Sequence, residues 1–96
     1  MYGSVARIRV KPGQEAELRR LGREAAAQIP GFVFEHVYRT DAGANEYYLV
    51  VGFESERAYR ANAASPEQHR RYEAYRALLA AEPEWHDGEI VDSYPA

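Results

Sequence analysis

Residues 46–79, EYYLVVGFESERAYRANAASPEQHRRYEAYRALL, decide the fold. The first eight have a strand pattern with no polar face. Tyr47, Leu49, Val51 and Phe53 fall on one parity; Tyr48, Val50 and Gly52 fall on the other. Side chains alternate across a strand, so both faces of this one call for cover. A helical segment follows and restarts at Ser65-Pro66, where Ser serves as a cap and Pro as a first helical residue. A chain of 96 residues buries a modest share of its surface and does not readily supply a layer on each side of its own sheet. The expected second layer is another copy of the chain.

Outward from that stretch, residues 2–11 alternate as a strand. Tyr2, Ser4, Ala6, Ile8 and Val10 share one face, and Val5, Arg7 and Arg9 the other. Pro12-Gly13 ends it. Gln14 to Ile29 reads as a helix with the stripe Leu18, Leu21, Ala25 and Ile29, stopped by Ile29-Pro30-Gly31. Gly22 inside it costs about 1 kcal/mol against Ala and suits close packing on the sheet. Phe32 to Thr40 is the second strand, and the turn at 41–45, DAGAN, returns the chain as the third. Pairing Thr40 with Glu46 sets Tyr38 opposite Tyr48, His36 opposite Val50 and Phe34 opposite Gly52. On the other face Val33 meets Phe53, Glu35 meets Val51 and Val37 meets Leu49.

Ser55 caps a short helix to about Ala63. Ser65 caps a longer one, with Gln68 completing a capping box and Glu82-Pro83 ending it. Residues 84–94, with Trp85 near the start and Gly88 as a bulge, form the last strand. The order β-α-β-β-α-β predicts a single α+β domain over 1–96, ferredoxin-like: a four-stranded antiparallel sheet with helices on one face. The aromatic face left bare predicts a homodimer, two sheets packed face to face about a two-fold axis.

Composition excludes several classes. There is no cysteine, which removes disulfides, thiolate metal sites and a thiol nucleophile. A net charge of −3 argues against a nucleic-acid partner, since phosphate neutralisation needs a basic face. Pairs such as Arg19-Arg20 and Arg70-Arg71 sit among carboxylates as solvated helix faces. No leader pattern opens the chain and no apolar run approaches the roughly 20 residues of a membrane span, so no membrane partner is expected and a cytoplasmic location is the default. There is no phosphate-cradling loop, HExxH, nucleophile elbow or ligand-type carboxylate cluster, and His36, His69 and His86 stand apart. No metal and no cofactor is expected.

Eight Tyr, three Phe and one Trp supply walls that are apolar in body and polar at the tip. Such residues fill cores and dimer interfaces; they also line pockets for small aromatic or apolar ligands. Between helices and sheet, the polar groups of the split helix best placed to enter a pocket are Asn62, His69 and Tyr72. Asn62 serves equally well as a helix end, Tyr72 as a core tyrosine, and His69 as its neighbour or a solvated side chain.

The run of strand, Pro-Gly, helix, Ile29-Pro30-Gly31-Phe32, then Phe53 followed by Glu54-Ser55-Glu56-Arg57-Ala58-Tyr59 and by Ser65-Pro66-Glu67-Gln68-His69, resembles the antibiotic-biosynthesis monooxygenase-like family of dimeric α/β barrels. The resemblance implies a monooxygenase acting on a small aromatic or quinol substrate with O2 and without metal or flavin. Asn62 and Tyr72 would then orient a phenolic oxygen, and His69 would accept a proton. A related group binds and degrades haem through an Asn, a Trp and a His; the matching positions here are Ala6, Asn62 and Tyr72, so that activity is not expected. Positions where many members carry a third-strand Glu and a short-helix His hold Val51 and Asn62. A non-catalytic dimeric module binding a small ligand is a second reading, and haem binding through His69 or another histidine a third.

Overall fold

The computed structural model describes residues 1–95. Its elements are β1 (Tyr2–Arg9), α1 (Glu15–Ala26), β2 (Phe32–Arg39), β3 (Glu46–Phe53), α2 (Glu56–Ala63), α3 (Pro66–Arg76) and β4 (Glu84–Glu89). The four strands form one antiparallel sheet in the order β2-β3-β1-β4, which with three helices is the ferredoxin-like α+β arrangement. No helix among the described residues is long and apolar enough to cross a membrane.

The core follows strand parity. Ala6, Ile8 and Val10 of β1 and its extension meet Tyr47 and Leu49 of β3, with Leu18 of α1 and Leu79 closing from the helix side. Tyr47 occupies a buried position because its hydroxyl reaches the edge and donates to Glu15 Oε1 at 2.6 Å. Glu15 also accepts from Arg39, 2.6–2.8 Å away, so the start of α1 is tied to β2 and β3. These two donors, Arg39 first, hold the Glu15 carboxyl below the usual range.

Both helix starts around residue 60 form as their caps dictate. Ser55 Oγ accepts from the Ala58 N–H at 3.1 Å, and Ser65 Oγ from the Gln68 N–H at 3.1 Å. The return half of the second capping box is not made. Gln68 Oε1 accepts from Arg71 Nε instead, and the Ser65 N–H bonds to the Asn62 carbonyl.

Three boundaries differ from the sequence pattern by three residues or more. Helix α1 stops at Ala26, because the chain must turn through Gly31 at φ +77°, where it runs so close to α2 that a Cβ would lie 2.6 Å from the Ala58 Cβ. Helix α3 stops at Arg76; Leu78 and Ala80 instead pair with the end of β1 through Lys11 N–H to Leu78 O and Ala80 N–H to Arg9 O, both 2.8 Å. Strand β4 ends at Glu89, and Val91 and Tyr94 beyond it are exposed.

The β2–β3 register matches the pattern from Phe34 to Arg39, and Val33 breaks it. A bulge between Phe32 and Phe34 sets Phe32, not Val33, against Phe53. The extra residue turns Phe32 onto the helix side, where its ring meets Phe53 edge-on at 5.8 Å between centroids, and leaves Val33 exposed.

Candidate active site

The helical layer does not close over the sheet completely. A cleft of about 840 Å3 runs between α1, the α2–α3 pair and the sheet. That volume is of the size that takes a small organic ligand. The α1 stripe divides along it. Leu18 enters the core, while Leu21, Ala25 and Ile29 wall the cleft. Phe32, Leu49, Val51 and Phe53 form its floor, and Tyr72, Tyr75 and Trp85 wall the sides opposite α1.

Asn62 and Tyr72 both reach this space. Asn62 sits in the last turn of α2, and its Oδ1 accepts from Arg71 Nη2 at 3.2 Å. Arg71 also donates to Gln68, so the amide is clamped from α3 with its Nδ2 left without a protein acceptor among the described residues. Tyr72 lines the cleft one turn further on. His69 does not join them. The inward stripe of α3 is Gln68, Arg71, Tyr72 and Tyr75, and His69 stands roughly 100° around the helix from Gln68. Its ring faces solvent and lies 3.0 Å from Glu73 Oε1 on the outer surface. The proton-accepting place expected for His69 is therefore outside the cleft.

Of the other polar residues that line the cleft, three bear on its chemistry, and the sequence pattern placed none of them there; Arg71 was expected on a solvated helix face. Asp87 of β4 accepts from the Tyr59 hydroxyl at 2.9 Å; burial, followed by that carboxylate, pushes the Tyr59 hydroxyl up to about 12, so it remains a donor. Arg71 is the clamp just described. Glu35 of β2 has its carboxylate in the cleft wall with no hydrogen bond or ion pair to any described residue, and burial pushes its pKa upward. It lies directly across the ladder from Val51, the position where the resemblance calls for a third-strand Glu. The sequence signal for Glu35 was one carboxylate between Val33 and Val37 on a mostly aliphatic strand parity. Trp85 and Asp87 share a parity in β4 that faces the cleft because they pair with Ala6 and Ser4.

Of the positions corresponding to the haem pattern, Ala6 is fully buried in the core and outside the cleft lining, while Asn62 and Tyr72 are within it. Among the described residues no group of three or more His, Asp or Glu side chains is placed to hold a metal ion.

Fold and cleft together make a small α+β protein with an aromatic-walled cleft between its sheet and helices. The chain belongs to the antibiotic biosynthesis monooxygenase family, whose model matches residues 1–79. Among solved structures it is similar to SnoaB, a cofactor-independent oxygenase from Streptomyces nogalater in an Asn-to-Ala mutant form. That match has 24% identity and a TM-score of 0.80 over 99% of this chain and 97% of the other. A protein from Chloroflexus aurantiacus J-10-fl, provisionally described as an antibiotic biosynthesis monooxygenase, matches at 24% identity and TM-score 0.78 over 97% and 95%. One of the same provisional description from Caulobacter crescentus CB15 matches at 20% and 0.77 over 95% and 90%. At these identities the likeness shows the fold. No curated protein matches the sequence.

Proposed function

We propose that the protein is a monooxygenase that oxidises a small phenol, anthrone or quinol with O2, the substrate itself supplying the electrons. The observation that carries this reading is the 840 Å3 cleft, aromatic-walled, with the Asn62 amide and Tyr72 inside it. A planar aromatic fits such walls by apolar burial and ring stacking. The Asn62 Nδ2 is a free donor for a substrate oxygen, and a donor placed there favours the anion that forms when the substrate loses its proton. With a phenol or an anthrone, the carbon para to oxygen changes from C–H or CH2 to C=O. With a quinol, a ring C–H becomes C–OH as the ring is oxidised to the quinone. In each case the second oxygen atom leaves as water. Phenol and O2 thus give quinone and water. Two hydrogens and four electrons come from the substrate, so no external reductant enters the balance. The name of the Streptomyces relative, a cofactor-independent oxygenase, supports the same reading.

Oxygen-electrode assays with anthrone and 1-naphthol test it. Uptake well above autoxidation, reduced at least about tenfold in Asn62→Ala, is the expected result. Uptake equal to autoxidation, with binding seen only as a raised melting temperature, would convert the site to a binding module.

The working form is a homodimer formed through the face of the sheet that carries no helices. Val5, Tyr38 and Tyr48 are 42%, 58% and 38% exposed there, beside Phe34 and Val50. An aromatic patch of this kind on one side of a sheet suits burial against its own copy.

A further inference from the structure

The cleft holds a carboxylate that the fold has made room for and left unpaired. Glu35 projects from β2 toward α1, and at the point of approach α1 carries Gly22. A Cβ on Gly22 would sit 2.9 Å from Glu35 Oε1, so the helix tolerates a glycine in its interior where the carboxylate needs the space. Behind it, the Tyr75 hydroxyl is buried without a hydrogen-bond partner, and the Glu35 charge helps keep it protonated. The charged groups that line the same cleft are engaged elsewhere or stand apart from Glu35. Arg71 of α3 is bound to Gln68 and Asn62, Glu24 of α1 to Arg20, and Asp87 of β4 to Tyr59. Glu67 and Arg70 of α3 also line it, with no ion pair to Glu35. A carboxylate among apolar walls, with an unpaired proton donor nearby, matches what a proton-abstracting site requires.

We propose that Glu35 is the base of this cleft, accepting the proton of a phenolic hydroxyl on the bound substrate. The substrate O–H bond breaks, its electron pair stays on the oxygen, and the proton forms a carboxylic acid on Glu35. The electron-rich anion is then the species that reduces O2. This role rests on the monooxygenase reading for its oxidative step, but the proton contact stands apart from turnover. It also places the acceptor on β2, not at His69.

The test follows 1-naphthol from pH 5 to 9 with the wild type, Glu35→Gln and Tyr75→Phe, by O2 uptake and by fluorescence-detected binding. In the wild type, kcat/KM should fall on acidification through one ionisation above the ordinary carboxylate range. Glu35→Gln should lower kcat by about 10²-fold or more and abolish that acid limb, while Tyr75→Phe retains it. An unchanged kcat and acid limb in Glu35→Gln overturns the proposal. Should the wild type show no turnover, the monooxygenase reading fails and binding decides Glu35 alone. Affinity that weakens as pH falls in the wild type and is flat in Glu35→Gln upholds the contact; pH-independent affinity in the wild type, or no binding, overturns it.

Discussion

At the residue scale, Glu35 carries a cost that points to use. Its pKa is raised in the folded state, so the native protein holds this proton to higher pH than the unfolded chain does. Between the two pKa values the native state binds more protons, and stability falls as pH rises through that window. Above that window the buried charge is a full penalty. Glu35→Gln should therefore raise the melting temperature most at high pH, with the gain shrinking as the pH is lowered through the raised pKa; calorimetry across pH checks this. Gly22→Ala should separate stability from activity in the same way. The helix gains up to about 1 kcal/mol, while the new methyl displaces the flexible end of Glu35, so denaturation midpoints rise and kcat falls.

The glycines of the sheet act through space of a different kind. On the open face Phe34 lies across Gly52, and a Cβ there would run into its ring. Gly52, Gly3 and Gly88 are successive partners across β3, β1 and β4, which leaves that level of the sheet without side chains beyond the Phe34 ring.

Among elements, the split between α2 and α3 is what brings Asn62 into the cleft. Ser65 serves both sides of the break, accepting from the Gln68 N–H and donating to the Asn62 carbonyl at 2.9 Å. Ser65→Ala loses both and should cost about 1–2 kcal/mol in urea unfolding, against about 1 kcal/mol for Ser55→Ala, whose hydroxyl makes only the cap bond. Ser65→Ala should also weaken activity where Ser55→Ala does not, because it loosens the turn that positions Asn62. The interior of the helix–sheet contact is less forgiving. Leu79 is almost fully buried where the chain leaves α3 to pair with β1, and Leu79→Ala should cost about 2–5 kcal/mol.

For the whole molecule, the strand with two apolar faces finds only one of them covered within a single chain. Tyr47, Leu49 and Phe53 are buried under the helices; Tyr48 on the opposite face is exposed. A homodimer through that face predicts sedimentation at twice the 10.9 kDa chain mass at micromolar concentration. Tyr48→Asp, which sets a charge in the middle of the patch, should shift the protein toward monomer. A wild-type monomer would rule the dimer out.

Strand parity and helix spacing were enough to read the element order, the hairpin register from Phe34 onward and both serine caps, because each depends on neighbours a few residues apart. Asn62 lies on α2, a short amphipathic helix whose inner side the pattern marks; α3 is polar nearly all round, so Tyr72 stood out by its aromatic ring and not by a stripe. His69 was misplaced by one helical position, since residues adjacent in sequence point about 100° apart and only packing shows where the stripe is centred. Val33 and Phe32 exchanged places through a bulge that no local pattern marks. Glu35 shows the limit most clearly. In the sequence it is a carboxylate on an apolar face, paired with Val51 and without evident purpose. Its meaning depends on Gly22, thirteen positions before it, and on Tyr75, forty after. The sequence by itself determined the elements and the faces they would bury. Only the tertiary structure decided which face residues fill the core and which line a cleft, because that choice depends on how closely two layers approach.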